Sequence, residues 1–317
     1  MVRTAAAGAR PGTPRPMADC GAAPGAALAD GLATLADTVL ASIDRLGDAL
    51  TAENIHELRI DISKLSAALL VASNMMRRKA PRHLQRRLRH FRRCLSSARD
   101  WDVFSAHRES MGAGGCEAFE IDLLRAEAAR RRLDQRDRIA LLLRSKSCFA
   151  LKDALYRVEQ RSLDPASRLR SAGIRERESA IGWLGAAASK VQDAGRHPNR
   201  LDFRDLHRMR ARVKRLRYAS EFLQPLFQGD VRPYAGALAD LQKTLGRLND
   251  SHVALRLARE LHPRVVSATT LHSIAAQHQA DSVRLRKSLR RRIAALRRLT
   301  PFWDAAPGQP ALTTAGT

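Results

Sequence analysis

His207, Arg210, Lys214 and Arg217 follow one another at spacings of three, four and three, and Glu221 comes four residues later. At about 100° per residue these positions share one helical stripe less than about 100° wide. A guanidinium offers forked donors to phosphate or carboxylate oxygens, an ammonium a compact charge, and an imidazole one further donor. Held in a row, they make a surface for a polyanion. Leu206, Met209, Val213, Leu216 and Leu223 form the adjoining apolar stripe, so the cations border the face that packs. Arg208, Arg212 and Arg215 fall on another side. A merely wet face normally mixes signs, because like charges one turn apart cost roughly 0.2–0.5 kcal/mol a pair. Arg210, Lys214 and Arg217 are all positive.

The pattern occurs twice. Aligning His56 with His207 places Leu58, Arg59, Ile62, Lys64 and Leu65 opposite Met209, Arg210, Val213, Arg215 and Leu216. Aligning Asp100 with Asp250 lays "LRHFRRCLSSARDWDV" over "LADLQKTLGRLNDSHV" and Arg93 over Lys243. His to Asp is 44 residues in the first copy (100 − 56) and 43 in the second (250 − 207). The first copy keeps its apolar stripe (Ile55, Leu58, Ile62, Leu65, Leu69), but its polar stripe runs His56, Arg59, Ser63, Ser66. Two helical halves of about 140 residues are the simplest account of such a repeat.

The elements that must carry these residues are helices. Apolar positions recur with helical period from about residue 27 onward, and no run alternates as a strand would. The spacing predicts helices at 27–48, 53–78, 81–108, 117–144, 148–161, 168–194, 203–227, 232–260 and 267–298. Gly, Pro or Asn punctuates the breaks "KAPR", "MGAGGC", "LDPAS", "AGRHPN" and "QGDVRP". Residues 1–26 and 305–317 are low in complexity and read as tails around one domain at 27–304, with halves at about 27–163 and 168–304.

Composition narrows the partner. The 317 residues carry 56 Lys and Arg against 32 Asp and Glu, a formal charge of +24. Charge of that size opposes compaction and points to a polyanion: nucleic acid, an anionic membrane or a phosphate polymer. No run of 18 apolar residues predicts a membrane-spanning helix, and the N-terminus lacks the apolar core of a secretory signal. Cys20, Cys94, Cys116 and Cys148 show neither a CxxC nor metal-ligand spacing, which suits free thiols in a reducing cytoplasm. Aromatics are 4% of the chain, few for a single-strand binder that stacks bases.

Further basic stretches are weaker candidates. Arg86, His90 and Arg93 share one side of an expected helix that packs through Leu84, Leu88, Phe91 and Leu95, while Arg82, Arg87 and Arg92 read as surface. Arg284, Lys287, Arg291 and Arg298 line the last helix, and Arg130, Arg131 and Arg132 read as a wet face. Catalytic signatures do not appear: "RDWD" in the first copy becomes "NDSH" in the second, and no HExxH, Walker loop or nucleophile elbow is present. Asp100 and Asp250 are expected to hold an arginine or cap a turn.

His-x-x-Arg opening a basic helix, then "LRYASEF" and "LQKTLGRLND", preceded by the paler "IHELRI" and "CLSSARDWDVF", resembles the CHAD domain, the conserved histidine α-helical domain, over about 31–304. The resemblance implies an all-α fold of two four-helix bundles related by an approximate twofold, with basic residues lining a central groove. It implies non-catalytic binding of inorganic polyphosphate and recruitment to cytoplasmic polyphosphate granules, with no cofactor and no metal. Stripe and resemblance together assign binding to His56, Arg59, Lys64, Arg93, His207, Arg210, Lys214, Arg217 and Lys243, with Arg86, His90, Arg284, Lys287 and Arg291 secondary. Ser63 and Ser66 stand where the family usually has bases, which thins the first half-site. Non-specific nucleic-acid binding and a scaffold for acidic proteins are the alternative readings, and no membrane insertion is expected.

Overall fold

Local chemistry starts and stops the helices near the expected ends, except that the expected ends at 78, 81, 108, 117 and 168 lie outside the described residues. The computed structural model describes residues 24–75, 82–107, 118–163, 173–262 and 264–304. Among these residues there are nine α-helices and no strand. They are α1 (Pro24–Asp48), α2 (Ala52–Met75), α3 (Arg82–His107), α4 (Ala118–Leu143), α5 (Lys146–Leu163), α6 (Gly173–Ala194), α7 (Phe203–Leu223), α8 (Arg232–Leu261) and α9 (Ala268–Arg298). Asp202 caps α7 by accepting from the Asp205 amide at 2.7 Å, and Ser267 caps α9 by accepting from Thr270 at 3.1 Å. Helix α7 ends four residues before its expected end at 227. Pro225 has no amide proton to donate, and the chain tightens into a 3₁₀ turn over Gln224–Leu226. Residues 1–23 and 305–317 of the expected tails, the loop around "MGAGGC", Cys20 and Cys116 lie outside the described residues, while residues 24–26, expected in the N-terminal tail, form the first turn of α1 instead.

The repeat is visible in the element positions. Helices α1 to α4 begin at 24, 52, 82 and 118, and α6 to α9 begin at 173, 203, 232 and 268, giving offsets of 149, 151, 150 and 150. Packing follows the same order: α1 on α2, α2 on α3 and α3 on α4, then α6 on α7, α7 on α8 and α8 on α9. The first half adds α5, which packs on α1. In the second half Phe302 and Trp303 enter the core instead, edge-on to Tyr234 and each other.

Two main cores form, one drawn chiefly from each half, with Leu28 and Val71 of the first half joining the second core. Val39, Ile43, Leu58, Ile62, Leu65, Phe91, Leu95 and Leu151 fill the first. Leu184, Met209, Val213, Leu216, Leu241, Leu245 and Leu289 fill the second. Phe222 packs against both. A further cluster of Trp101, Phe104, Leu124, Val253, Leu257 and Leu261 ties α3 and α4 to α8. Ala26–Asp48 is long and apolar enough to cross a membrane by length and composition. Its Leu28, Val39, Leu40, Ile43 and Leu46 are buried in the protein interior.

Two pairs of central helices position the site. Helix α2 packs on its counterpart α7, and α3 on its counterpart α8. Trp303 is the part of this frame that the sequence made least obvious. Trp303→Ala should lower stability by about 3–5 kcal/mol and Tm by about 10 °C, since a large buried aromatic leaves a cavity. Thermal unfolding followed by helical circular dichroism tests this, and an unchanged Tm would mean that the C-terminal aromatic pair is not part of the core.

Candidate functional site

On α7 the stripe Leu206, Met209, Val213, Leu216 and Leu223 is buried, as are Ile55, Leu58, Ile62, Leu65 and Leu69 on α2. The polar stripes beside them therefore meet at the α2–α7 seam. Lys214 Nζ donates a 2.9 Å hydrogen bond to Ser63 Oγ. These two residues are each other's repeat counterparts, 151 positions apart. Arg59 and Arg210, also counterparts, lie close enough for their charges to repel, and so do Asp100 and Asp250. The halves thus join through equivalent positions. A lysine at both 63 and 214 would set two ammonium groups against each other at this point, whereas serine supplies an acceptor.

The seam is crowded with like charge. Burial, then the neighbouring Arg210, Arg59, Arg92 and Arg217, push Lys214 down to about 7. Lys214 Nζ and the Arg217 guanidinium each lie 5.6 Å from the centre of the Tyr218 ring, a cation–π arrangement. Burial also holds Arg59 down, to about 10, with Arg210, Arg99 and Arg92 acting the same way and Asp100 opposing. It still carries its charge at neutral pH. Arg59 Nε and Arg210 Nε are buried without a hydrogen-bond partner. Burial raises the Asp100 carboxyl against the pull of Arg256, which bonds it at 3.0 Å, and of Arg59. Burial and the charge of Arg99 lower His56. The acids at this site are few, and those nearby are engaged: Glu221 accepts from Arg217 at 2.9 Å and Asp61 from Ser42 at 2.6 Å.

Of the residues assigned from the sequence, His56, Arg59, Arg210, Lys214 and Arg217 come together here. His207 is exposed in the second turn of α7, beside Phe203, whose ring stacks on His252 at 3.5 Å between centroids. Lys64 is turned away from Ser63 by one residue's rotation on α2. Arg93 and Lys243 are exposed, on the sides of α3 and α8 away from buried Leu88 and Phe91, and Leu241 and Leu245. Arg86 and His90 share that outer side of α3, where His90 Nε2 lies 3.8 Å from Cys94 Sγ. Arg284, Lys287 and Arg291 are exposed on α9, which packs on α8, and Arg284 is tied to Asp281 at 2.5 Å.

Arg92 is exposed, as expected, and it also acts on the site: its charge is partly desolvated, crowded by Arg89 and Arg215, and felt by Lys214 and Arg59. One expectation needs correction. Arg131 and Arg132 are not simply wet. Arg131 lies 5.6 Å over the Trp101 ring, and Arg132 donates to buried Asp102 at 2.9 Å, so both join α4 to α3. Arg130 keeps to its own helix, bonding Glu127 and Asp134. Arg99 was missed outright. Arg92 and Arg99 are seven residues apart, two turns on one side of α3, and that spacing was the available signal. Their repeat counterparts are Gln242 and Asn249, so α3 supplies cations where α8 does not, the reverse of the Ser63–Lys214 exchange. Asp100 does hold an arginine, Arg256. No group of three His, Cys, Asp or Glu among the described residues is arranged to hold a metal.

Lys214 makes the seam's electrostatic cost measurable. Its folded value lies below that of the unfolded chain, so between about pH 7 and pH 10 the unfolded state binds more protons and stability rises with pH. Lys214→Met removes the confined charge and keeps the apolar stem. It should raise Tm at pH 6 by about 5 °C and flatten the rise in Tm from pH 6 to 9. A lower Tm at pH 6 with an unchanged pH profile would show that Lys214 stabilises the seam rather than strains it.

The geometry can be set beside known proteins. No curated protein matches the chain. Among solved structures it is similar to the CHAD domain from the plant Ricinus communis, with 23% identity and a TM-score of 0.69 over 89% of this chain and 94% of that one. It is also similar to PptA from Streptomyces chartreusis, with 16% identity and a TM-score of 0.62 over 87% of this chain and 99% of that one. Both likenesses concern the fold. The sequence itself matches the CHAD domain over residues 26–259, a span that includes both His-x-x-Arg helices, their seam and most of α8, and the chain belongs to the CHAD domain family.

Proposed function

We propose that this protein binds inorganic polyphosphate without catalysis, through the cations gathered at the α2–α7 seam, and that binding recruits it to polyphosphate granules in the cytoplasm. The observation that carries the reading is the meeting of Arg59, Arg210, Lys214, Arg217 and Arg92 with few counter-charges and with buried guanidinium nitrogens left unpartnered. Such a cluster opposes folding unless an anion neutralises it. Polyphosphate carries about one negative charge per unit and no bases. It asks for a row of cations, and each contact releases condensed counterions. The family's association with polyphosphate supports the same ligand. Position matters more than total charge, because a seam cation is already ordered, whereas a mobile surface arginine costs about 0.5–1.5 kcal/mol to immobilise.

The test compares equal losses of charge. Arg59→Gln with Arg210→Gln should weaken binding of labelled long-chain polyphosphate by about 100-fold or more at ~0.15 M salt, at about 1.5–3 kcal/mol for each charge-assisted contact. Arg290→Gln with Arg298→Gln, both exposed on α9, should weaken it by about threefold or less. Far-ultraviolet circular dichroism confirms folding of both. Equal losses would mean that binding follows overall charge. Duplex DNA of equal charge binding as tightly as polyphosphate would favour the nucleic-acid reading, and an acidic protein that displaces long-chain polyphosphate would favour the scaffold.

A further inference from the structure

Ser63 and Lys214 do more than add to a charge count. Lys214 Nζ sits in the seam with Ser63 Oγ as its acceptor at 2.9 Å. Its surroundings are almost wholly basic. From α7 itself come Arg210, Arg217 and the Tyr218 ring, from α2 Arg59 and His56, and from α3 Arg92. From α8, Gln242 bonds Tyr218. Helix α6 meets α7 elsewhere, where Arg212 donates to the Lys190 carbonyl at 3.4 Å. The acids nearest Tyr218, Glu221 and Asp61, are bonded to Arg217 and Ser42. A charged ammonium in this place lacks a counter-ion, and a neutral amine does not need one. An incoming phosphate oxygen would supply that counter-ion.

We propose that Ser63 is a positioning residue that holds the Lys214 amine at the seam, and that binding of a phosphate polymer there is coupled to uptake of one proton by Lys214. The proposal rests on the ligand reading above and adds a proton to it. The step is a simple protonation: the amine lone pair takes a proton from solvent buffer, and the resulting ammonium pairs with a phosphate oxygen while still donating to Ser63. Affinity should therefore fall as pH rises above about 7, since the free protein's amine is then mostly neutral and must be protonated to bind. Arginine would not behave this way, because its guanidinium stays charged. The first half is then no degraded copy. Its serine is the acceptor that lets one lysine occupy the place where two counterparts meet.

Calorimetric titration of the full-length protein with long-chain polyphosphate at pH 8, in two buffers of different ionisation enthalpy, reads the proton directly. Wild type should take up the greater part of one proton per site. Lys214→Arg should take up less than about a third of that and bind more tightly than wild type at pH 8.5. His56→Asn should keep the uptake at pH 8, because His56 titrates on the acid side of its usual range. Ser63→Ala should move the pH midpoint of affinity downward, and Ser63→Thr, which keeps the hydroxyl, should restore it. Wild-type binding without proton uptake, or the same uptake in Lys214→Arg, overturns this inference and leaves the ligand reading standing. Loss of uptake in His56→Asn reassigns the proton and also overturns it. An unmoved midpoint in Ser63→Ala removes Ser63 from the proposal. Absence of polyphosphate binding by the wild type at any pH overturns both readings together.

Discussion

The hydrogen bond from Lys214 to Ser63 marks the constraint on which the rest of the structure turns: two copies of one basic helix must pack against each other at equivalent positions. Like charges at equivalent places repel most where the copies meet. The chain answers by making the copies unequal. Serine replaces a base on α2, arginines replace Gln242 and Asn249 on α3, and Arg59 and Arg210 remain as the pair that still repels. Around this seam the two apolar cores supply the burial that holds the cations in place.

The charge distribution follows from the same constraint. Away from the seam most arginines have ordinary surface arrangements. Arg130 bonds Glu127 and Asp134, and Arg232 bonds Asp230, pairs that contribute little to stability. Others are structural. Arg286 donates to the carbonyls of Pro198 and Leu201, and Arg132 reaches buried Asp102. At the seam the pattern reverses: the charges are partly buried, close together and short of acids. A net charge of +24 therefore conceals three populations of cation, and only their surroundings distinguish them.

Polar contacts between equivalent positions continue beyond Lys214 and Ser63. Asp100 holds Arg256 across the α3–α8 pair and acts on Arg59. Its counterpart Asp250 lies close enough to raise it, so one more pair of equivalent positions meets there. Glu120 accepts from Ser267 at 3.0 Å and also from Thr270, its own repeat counterpart, joining the start of α4 to the start of α9. Contacts between counterparts thus recur from the α2–α7 seam to the starts of α4 and α9.

Much of this was legible in one dimension. Helical period is local, so the helices could be placed from apolar spacing, and α7 departed from it only where Pro225 tightens the turn. The repeat, the stripe Arg210–Lys214–Arg217 and its border with the packed face also needed only the chain. Which side of α3 serves the seam did not follow: Arg92 and Arg93 differ by about 100° of rotation, and it is Arg92, not Arg93 with its counterpart cation, whose charge reaches Lys214 and Arg59. Nor could the sequence show that Ser63 would receive Lys214, or that Arg131 and Arg132 would leave solvent for Trp101 and Asp102. The sequence by itself determined the helices, their duplication and the sign of their polar stripes, because these depend on residues a few positions apart. Tertiary structure alone decided which stripes meet, because that depends on how helices 150 residues apart cross, and the desolvation and mutual repulsion that distinguish Lys214 exist only after they have done so.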